Sequence, residues 1–227
     1  MAERPDDGRP RRRRQQQADR TRRQLLAAAG EVFERHGYQA TTVRAITTRA
    51  RTAHGTFYLY FENKEDVFCR LLEIVIVGEL EDGSHTFLEA GPDRDRLAAA
   101  VGRFAAGFVR RAGLWRALLE GMLQSRAIRD LWLELRGRTV RRLADEVRAQ
   151  QGRGLVRAVE PVALAQALTA MTEWYAFTQL ALERPPAGES GSDGGPPGGE
   201  PGARLGTVVD TLADVWLHAV YGRANPG

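Results

Sequence analysis

The spacing of apolar residues is the feature that most constrains how this chain can fold. Apolar residues recur three or four positions apart along almost the whole sequence, which is the repeat of a helix with one buried face. No segment shows the strict alternation of a half-buried β-strand. The pattern predicts an all-α fold, with helices over 19–36, 42–50, 54–61, 64–88, 93–112, 114–123, 127–150, 160–183 and 204–222.

Composition excludes several classes of protein. The chain has 227 residues, of which 43% are hydrophobic and 27% charged, so it can bury a core without disulfides. Cys69 is the only cysteine, which rules out an internal disulfide and a thiolate zinc site. The apolar run 74–77 is far shorter than the roughly 18 residues of a membrane span, and 25–29 is too short for a secretory signal. We therefore expect a cytoplasmic protein with no membrane partner.

The polar residues give no indication of catalysis. The four histidines lack metal-ligand spacing, and no Ser/His/Asp or Cys/His set can be assembled from members scattered over a helical chain. We expect no metal, no cofactor and no enzymatic activity.

Positive charge is concentrated at the N-terminus. Residues 1–23 hold nine arginines and four acidic residues, so this segment carries +5 while the whole chain carries +4. Residues 1–18 contain almost no apolar side chain, which predicts a disordered arm. A local excess of arginine favours a polyanionic partner such as DNA. Two interpretations remain open: the arm contacts the minor groove or the phosphates, or it is only solvated.

A helix-turn-helix is the most informative motif in the sequence. The short helices over 42–50 and 54–61 are separated by a break at residues 51–52. In this motif the first of the two helices crosses the phosphate backbone, and the second presents side chains to base edges in the major groove. The candidate DNA-binding residues are basic, hydroxyl-bearing, or small enough to allow a close approach: Thr42, Arg44, Arg51, Thr52, His54, Gly55, Thr56, Tyr58, Tyr60 and Lys64.

The run Gly55-Thr56-Phe57-Tyr58-Leu59-Tyr60-Phe61-Glu62-Asn63-Lys64-Glu65, preceded by Thr42-Val43 and Ile46, resembles the N-terminal signature of the TetR family of bacterial transcriptional regulators. The resemblance implies a three-helix DNA-binding domain at 19–68. It also implies a helical ligand-binding and dimerisation domain at 69–222. Within that domain, the Gly- and Pro-rich composition of residues 185–203 predicts a flexible loop. Members are typically homodimeric repressors that leave a palindromic operator when a small molecule binds.

The C-terminal half is similar to the mycobacterial ethionamide-resistance branch of that family. The similarity lies in residues 167–173 and 209–216 and in Tyr221-Gly222. In that branch an apolar tunnel accepts elongated hydrophobic ligands, and the resemblance nominates as its lining Phe104, Phe108, Trp132, Thr169, Thr172 and Trp216. Trp115 is a further candidate, although core packing is the default role of any such aromatic residue.

The last helix has a wide apolar stripe, which must be buried in a core or in a dimer interface. The helices over 160–183 and 204–222 of each subunit would together make a four-helix bundle on a two-fold axis. The interface residues predicted on this basis are Leu180, Leu212 and Val220.

Local capping residues support the predicted starts of the second and fourth helices, whereas the third helix lacks a favourable cap. Thr42 is a usable N-cap for the second helix, and Asn63 with Asp66 resembles a capping arrangement that opens the fourth. Arg51 and Ala53 stand where the family often has glycine in the turn and serine at the next N-cap. Each change costs about 1 kcal/mol, unless Thr52 provides the cap.

Three functions therefore remain open at the level of the sequence. The first is a ligand-released, operator-specific regulator in which the fourth helix, residues 64–88, acts as a lever between the domains. The second is a helical small-molecule-binding or adaptor protein that has lost operator recognition. The third is a nonspecific DNA-binding protein driven by the arginine-rich arm.

Overall fold

The computed structural model describes residues 9–89, 91, 93–179 and 201–222. Every regular element in these ranges is a helix, which confirms the predicted all-α fold. The helices are α1 (Arg9–Ala40), α2 (Val43–Arg49), α3 (His54–Phe57), α4 (Lys64–Glu89), α5 (Arg94–Arg110), α6 (Ala112–Gln124), α7 (Arg126–Gly152), α8 (Pro161–Phe177) and α9 (Pro201–Tyr221).

The N-terminal helix is longer than predicted. Residues 9–18, expected to be disordered, form the first turns of α1, whereas 1–8 lie outside the described residues. Extending an existing helix needs no new nucleus, and Arg and Gln are good helix formers. The side chains from Arg12 to Gln17 are exposed, so this extension is helical without being packed. At the other end Gly37 has φ 74°, which ends the regular helix where His36-Gly37 predicted a stop.

The three N-terminal helices enclose a small aromatic core. Phe33 of α1, Ile46 of α2 and Phe57 of α3 are completely buried, and Phe61 is nearly so. Their burial fixes which face of α3 points inward, because Phe57 occupies the core side of a helix only four residues long. The opposite side of α3 is left to the surface.

Helix α9 packs within the same chain, which corrects the predicted dimer interface. Leu212 and Val220 are 1% and 0% exposed in a single protomer, so neither side chain is available to a second copy. The apolar stripe of α9 lies mainly against α5, where Leu97 and Val101 are also buried. The stripe is therefore core. Leu180, the third predicted interface residue, lies outside the described residues.

The Gly- and Pro-rich segment is also shorter than predicted. Helix α9 begins at Pro201, so positions 201–203 are helical, and the rest of the predicted loop, 185–200, lies outside the described residues.

Helix α6 forms the principal contact between the N-terminal three helices and the remainder of the chain. It packs along α1 so closely that a Cβ placed on Gly113 would lie 2.1 Å from the Glu34 carbonyl oxygen. Next to this contact, Arg111 and Glu34 form a salt bridge at 3.3 Å. At the far end the backbone N–H of Gln39 donates to Glu120 Oε2 at 3.0 Å. Two contacts from α6 and one from Arg111, the residue before it, thus connect this part of the chain to α1.

Candidate nucleic-acid interface and ligand cavity

The turn between α2 and α3 has the strained backbone that the sequence predicts. Arg51 has φ 52°, the left-handed conformation that glycine adopts without cost. Two backbone hydrogen bonds hold the turn, from Arg51 N to Thr48 O at 3.1 Å and from Thr52 N to Thr47 O at 3.0 Å. The surrounding turn therefore stabilises a conformation that costs an arginine about 1 kcal/mol.

The helix caps also follow the sequence, with one exception. Thr42 caps α2, because its hydroxyl accepts from Ala45 N at 3.1 Å. Asn63 Oδ1 accepts from Asp66 N at 2.9 Å, and Asp66 in turn accepts from Glu62 N at 3.0 Å. Thr52 does not cap α3: its Oγ1 is buried and has no hydrogen-bond partner among the described residues. That hydroxyl is accordingly not available on the surface for a DNA contact.

The outer face of α3 consists of side chains that the core does not use. His54 and Gly55 are exposed, and Tyr58, just after the helix, is 53% exposed. A Cβ added to Gly55 would meet nothing within 4 Å, so the backbone itself is open to a close approach. His54 and Tyr58 lie edge to face, with ring centroids 5.5 Å apart. Thr56, half-buried at the edge of this face, completes a patch of polar and aromatic groups.

Two exposed arginines lie on the elements that precede α3. Arg44 on α2 and Arg51 in the turn are exposed, as is the capping residue Thr42. Arg49, on the same helix as Arg44, forms a salt bridge with Glu31 of α1. Arg44 and Arg51 are therefore the better placed cations for phosphate contacts.

Two of the predicted DNA-contact residues, Lys64 and Tyr60, also make contacts within the protein. The Lys64 ammonium donates to the carbonyls of Tyr38 and Gln39, at 2.8 and 3.3 Å, and lies 4.4 Å from the centre of the Tyr38 ring. Burial lowers the pKa of Lys64, while the Glu120 carboxylate acts in the opposite direction. This lysine thus caps the end of α1. Tyr60 is half-buried and packs against the core of the three-helix unit.

A cavity of about 280 Å³ lies between α5, α6, α7 and α8. This volume is near the lower end of the roughly 300–1,000 Å³ found for small-molecule sites. Its wall is mostly aromatic and aliphatic, and it comprises Phe108, Trp115, Leu118, Leu119, Met122, Trp132, Arg136, Ala170, Glu173, Trp174 and Phe177.

Three of the seven predicted lining residues are in this wall, and four are not. Phe108, Trp115 and Trp132 line the cavity, with Phe108 stacked on Trp115 at a centroid distance of 4.3 Å and Trp132 edge-on to Trp115 at 5.7 Å. The residues outside the wall are Phe104, Thr169, Thr172 and Trp216.

The excluded residues have other packing partners. Phe104 packs against Phe108 at a centroid distance of 5.1 Å, and Thr169 is buried in α8. The Trp216 indole N–H donates to Thr172 Oγ1 at 2.8 Å, with both residues almost completely buried. An indole N–H in a core requires an acceptor, and Thr172 supplies one from the neighbouring helix.

One polar pair among the described residues of the wall was not predicted from the sequence. Glu173 Oε2 accepts from Arg136 Nε at 2.9 Å, whereas Glu173 Oε1 is shielded from water and accepts no hydrogen bond from the described residues. Burial raises the pKa of Glu173, and the bond to Arg136 acts in the opposite direction. A buried acceptor without a donor costs about 1–3 kcal/mol. The signal was present in the sequence, because Glu173 is the single charged residue of α8.

Comparison with known proteins agrees with this geometry. Residues 25–71 match the family described as "Bacterial regulatory proteins, tetR family", a range that contains the second half of α1, all of α2 and α3, and the start of α4. The chain is 27% identical over 218 residues to the HTH-type transcriptional regulator EthR of Mycobacterium tuberculosis, covering 94% of this chain and 93% of that protein. A shorter match, 32% identical over 80 residues, covers 35% of this chain and 41% of the fatty acid metabolism regulator protein of Bacillus subtilis.

Solved structures support the fold. A TetR-family transcriptional regulator of Mesorhizobium loti superposes with a TM-score of 0.69 at 20% identity, covering 90% of this chain and 98% of that one. In the part of the chain that the structure describes, no helix has both the length and the apolar character of a membrane span.

Proposed function

We propose that the chain, whose residues 25–71 match the TetR family of DNA-binding regulators, is a homodimeric repressor of transcription and not an enzyme. It acts in the cytoplasm, binds a palindromic operator and leaves it when an apolar small molecule occupies the cavity. The observation that carries this proposal is the outer face of α3, where His54, Gly55 and Tyr58 are exposed while Phe57 anchors the helix from beneath.

The outer face of α3 has the chemistry required for base recognition. His54 and Thr56 carry hydrogen-bonding groups, Tyr58 adds an aromatic ring with a hydroxyl, and Gly55 permits the backbone to approach. Arg44 and Arg51, on the elements that precede α3, serve as phosphate contacts. In a two-fold dimer the two copies of α3 would enter major grooves about 34 Å apart, one helical turn of DNA.

Dimerisation is assigned to the outward faces of α8 and α9. Trp174 on α8 is 60% exposed and Val215 on α9 is 40% exposed, so each of these helices presents an apolar side chain to the surface. Pairing these faces across a two-fold axis would bury both residues and form a four-helix bundle. The buried stripe of α9 would remain within each protomer.

The contacts of α6 support a route from the cavity to the DNA. Leu118 and Met122 of α6 line the cavity, while Gly113 and Glu120 of the same helix contact α1. Helix α4 offers a second connection, because it starts beside α3 and packs on α7, which also lines the cavity. A ligand shifts the operator equilibrium only if it binds one arrangement of these helices better than the other.

Affinity for specific against random DNA tests the proposal. At near-physiological salt the purified protein should bind DNA upstream of its own gene at least about a thousandfold more tightly than random DNA. Tyr58→Ala should lose most of this ratio with little change in thermal stability, whereas Leu123→Ala, an exposed residue of α6, should keep it. Equal affinity for both DNAs would instead indicate a nonspecific DNA-binding protein, and no binding would indicate an adaptor.

A further inference from the structure

The wall of the cavity has one polar position that the fold does not satisfy. Glu173 forms part of this wall together with Arg136, and the two side chains are 12% and 24% exposed. Only one carboxylate oxygen is used, because Oε2 accepts from Arg136 while Oε1 has no partner among the described residues. The terminal torsion of a glutamate is broad, so a small rotation can turn this oxygen to a molecule in the cavity.

Arg136 also has unused capacity in the wall. Its Nε donates to Glu173, and its Nη2 makes a long contact of 3.5 Å to the Gln166 carbonyl. A guanidinium has five N–H donors. The pair therefore offers an acceptor on Glu173 next to donors on Arg136, within a wall that is otherwise apolar except for its indole N–H groups.

The charge of this pair limits which ligands fit. The carboxylate and the guanidinium neutralise each other, so a cationic ligand would bring uncompensated charge into the cavity beside Arg136. An anionic ligand would meet the same penalty beside Glu173. A neutral group that donates one hydrogen bond satisfies Glu173 Oε1 without adding charge. The aromatic rings of Trp115 and Phe177 would then contact the apolar remainder of the ligand.

We propose that the cavity binds a neutral amphiphile whose polar end donates a hydrogen bond to Glu173 and accepts one from Arg136, such as a primary amide or an alcohol. This inference rests on the proposed function, since it names the chemical class of the effector. It restricts the expected apolar ligand to one with a hydrogen-bonding end.

Calorimetry on the purified protein with four probes that share an eight-carbon chain tests the inference. Octanamide carries a donor and an acceptor, N,N-dimethyloctanamide keeps only the acceptor, and octylamine and octanoate carry a positive and a negative charge. We expect octanamide to bind at least about tenfold more tightly than each of the other three, because only it satisfies both partners without charge. Equal binding of the two amides, the tightest binding by a charged probe, or binding by none would overturn the inference.

A double variant locates the effect at the pair. Arg136→Met with Glu173→Leu removes both charges together, so no lone ion is left buried and the fold is expected to survive. This variant should bind the two amides with similar affinity. The matched control is Glu134→Leu with Arg138→Met, which removes an exposed ion pair of α7 and should keep the preference. A preference that persists in the Arg136/Glu173 variant would overturn the assignment.

Operator binding by the unliganded protein distinguishes a failure of this inference from a failure of the proposed function. Specific operator binding does not depend on which probe enters the cavity. Specific binding together with no preference for octanamide would refute the ligand class alone. Absence of specific binding would refute the regulator itself, whatever the probes do.

Discussion

Gly113→Ala is the substitution for which the structure gives the sharpest expectation. A Cβ at this position of α6 would lie 2.1 Å from the Glu34 carbonyl oxygen and 2.7 Å from the Glu34 Cα. Atoms of this kind do not approach closer than 3.0 Å, so the two helices must separate by about 1 Å. The obstacle is backbone on both sides, and no flexible side chain can move away to relieve it.

The expected cost of this separation is large for a single methyl group. Overpacking of a well-packed contact costs about 1–3 kcal/mol, and each kcal/mol lowers the melting temperature by about 2–4 °C in a chain of this size. Operator affinity should fall as well, because α1 supports the three-helix unit that carries α3. The two measurements are thermal unfolding followed by circular dichroism and a titration of operator DNA without ligand.

Gly102→Ala is the matched control for this substitution. Gly102 lies inside α5, and a Cβ there would meet only Val209, at the ordinary distance of 3.8 Å. Replacing glycine by alanine inside a helix stabilises it by about 0.5–1 kcal/mol, so this variant should melt higher and bind the operator normally. If Gly113→Ala were as stable as the parent and bound the operator equally well, the close contact between α1 and α6 would be refuted.

Three further substitutions test the site and the core. Arg44→Ala should weaken binding to all DNA sequences alike and should reduce the slope of log affinity against log salt concentration by about one unit. An unchanged slope would exclude a phosphate contact. Arg51→Gly should raise the free energy of unfolding by about 1 kcal/mol, because glycine adopts the left-handed conformation without strain. The same variant should bind the operator more weakly, and normal affinity would exclude a phosphate contact by Arg51. Thr172→Val removes the hydrogen bond from the Trp216 N–H to Thr172 Oγ1 and should lower the free energy of unfolding by about 0.5–1.5 kcal/mol, whereas an unchanged midpoint of chemical unfolding would show that this bond contributes little.

Most helix positions could be predicted from the sequence because each helix buries one face, but α3 ends at Phe57 and not at residue 61 as predicted. The stop at Gly37, the N-cap Thr42 and the cap at Asn63 are local signals, and local signals survive folding. The start of α1 was missed for the opposite reason. Arginine-rich residues have nothing to bury, and their helical state comes from continuity with the packed part of the helix.

The cavity and the interface were harder to predict because periodicity shows only that a face is buried, without showing what covers it. Leu212 and Val220 lie on a real apolar stripe, yet α5 of the same chain covers it. Trp216 is a large aromatic residue that faces inward, yet it does not line the cavity, and its indole N–H donates to Thr172. Only the pairing of helices distinguishes these cases, and pairing is a long-range property.

Helix α6 connects the two parts of the proposed mechanism more directly than α4 does. Leu118 and Met122 line the cavity, each within one turn of Glu120, whose carboxylate accepts a hydrogen bond from the Gln39 backbone at the end of α1. A packed helix moves as a rigid body, since its interior has no room for gradual deformation. A ligand that displaces the cavity side of α6 therefore also displaces the residues that lead into α2. The same geometry limits the effect: a small molecule that fits the cavity without moving α6 would bind and leave operator affinity unchanged.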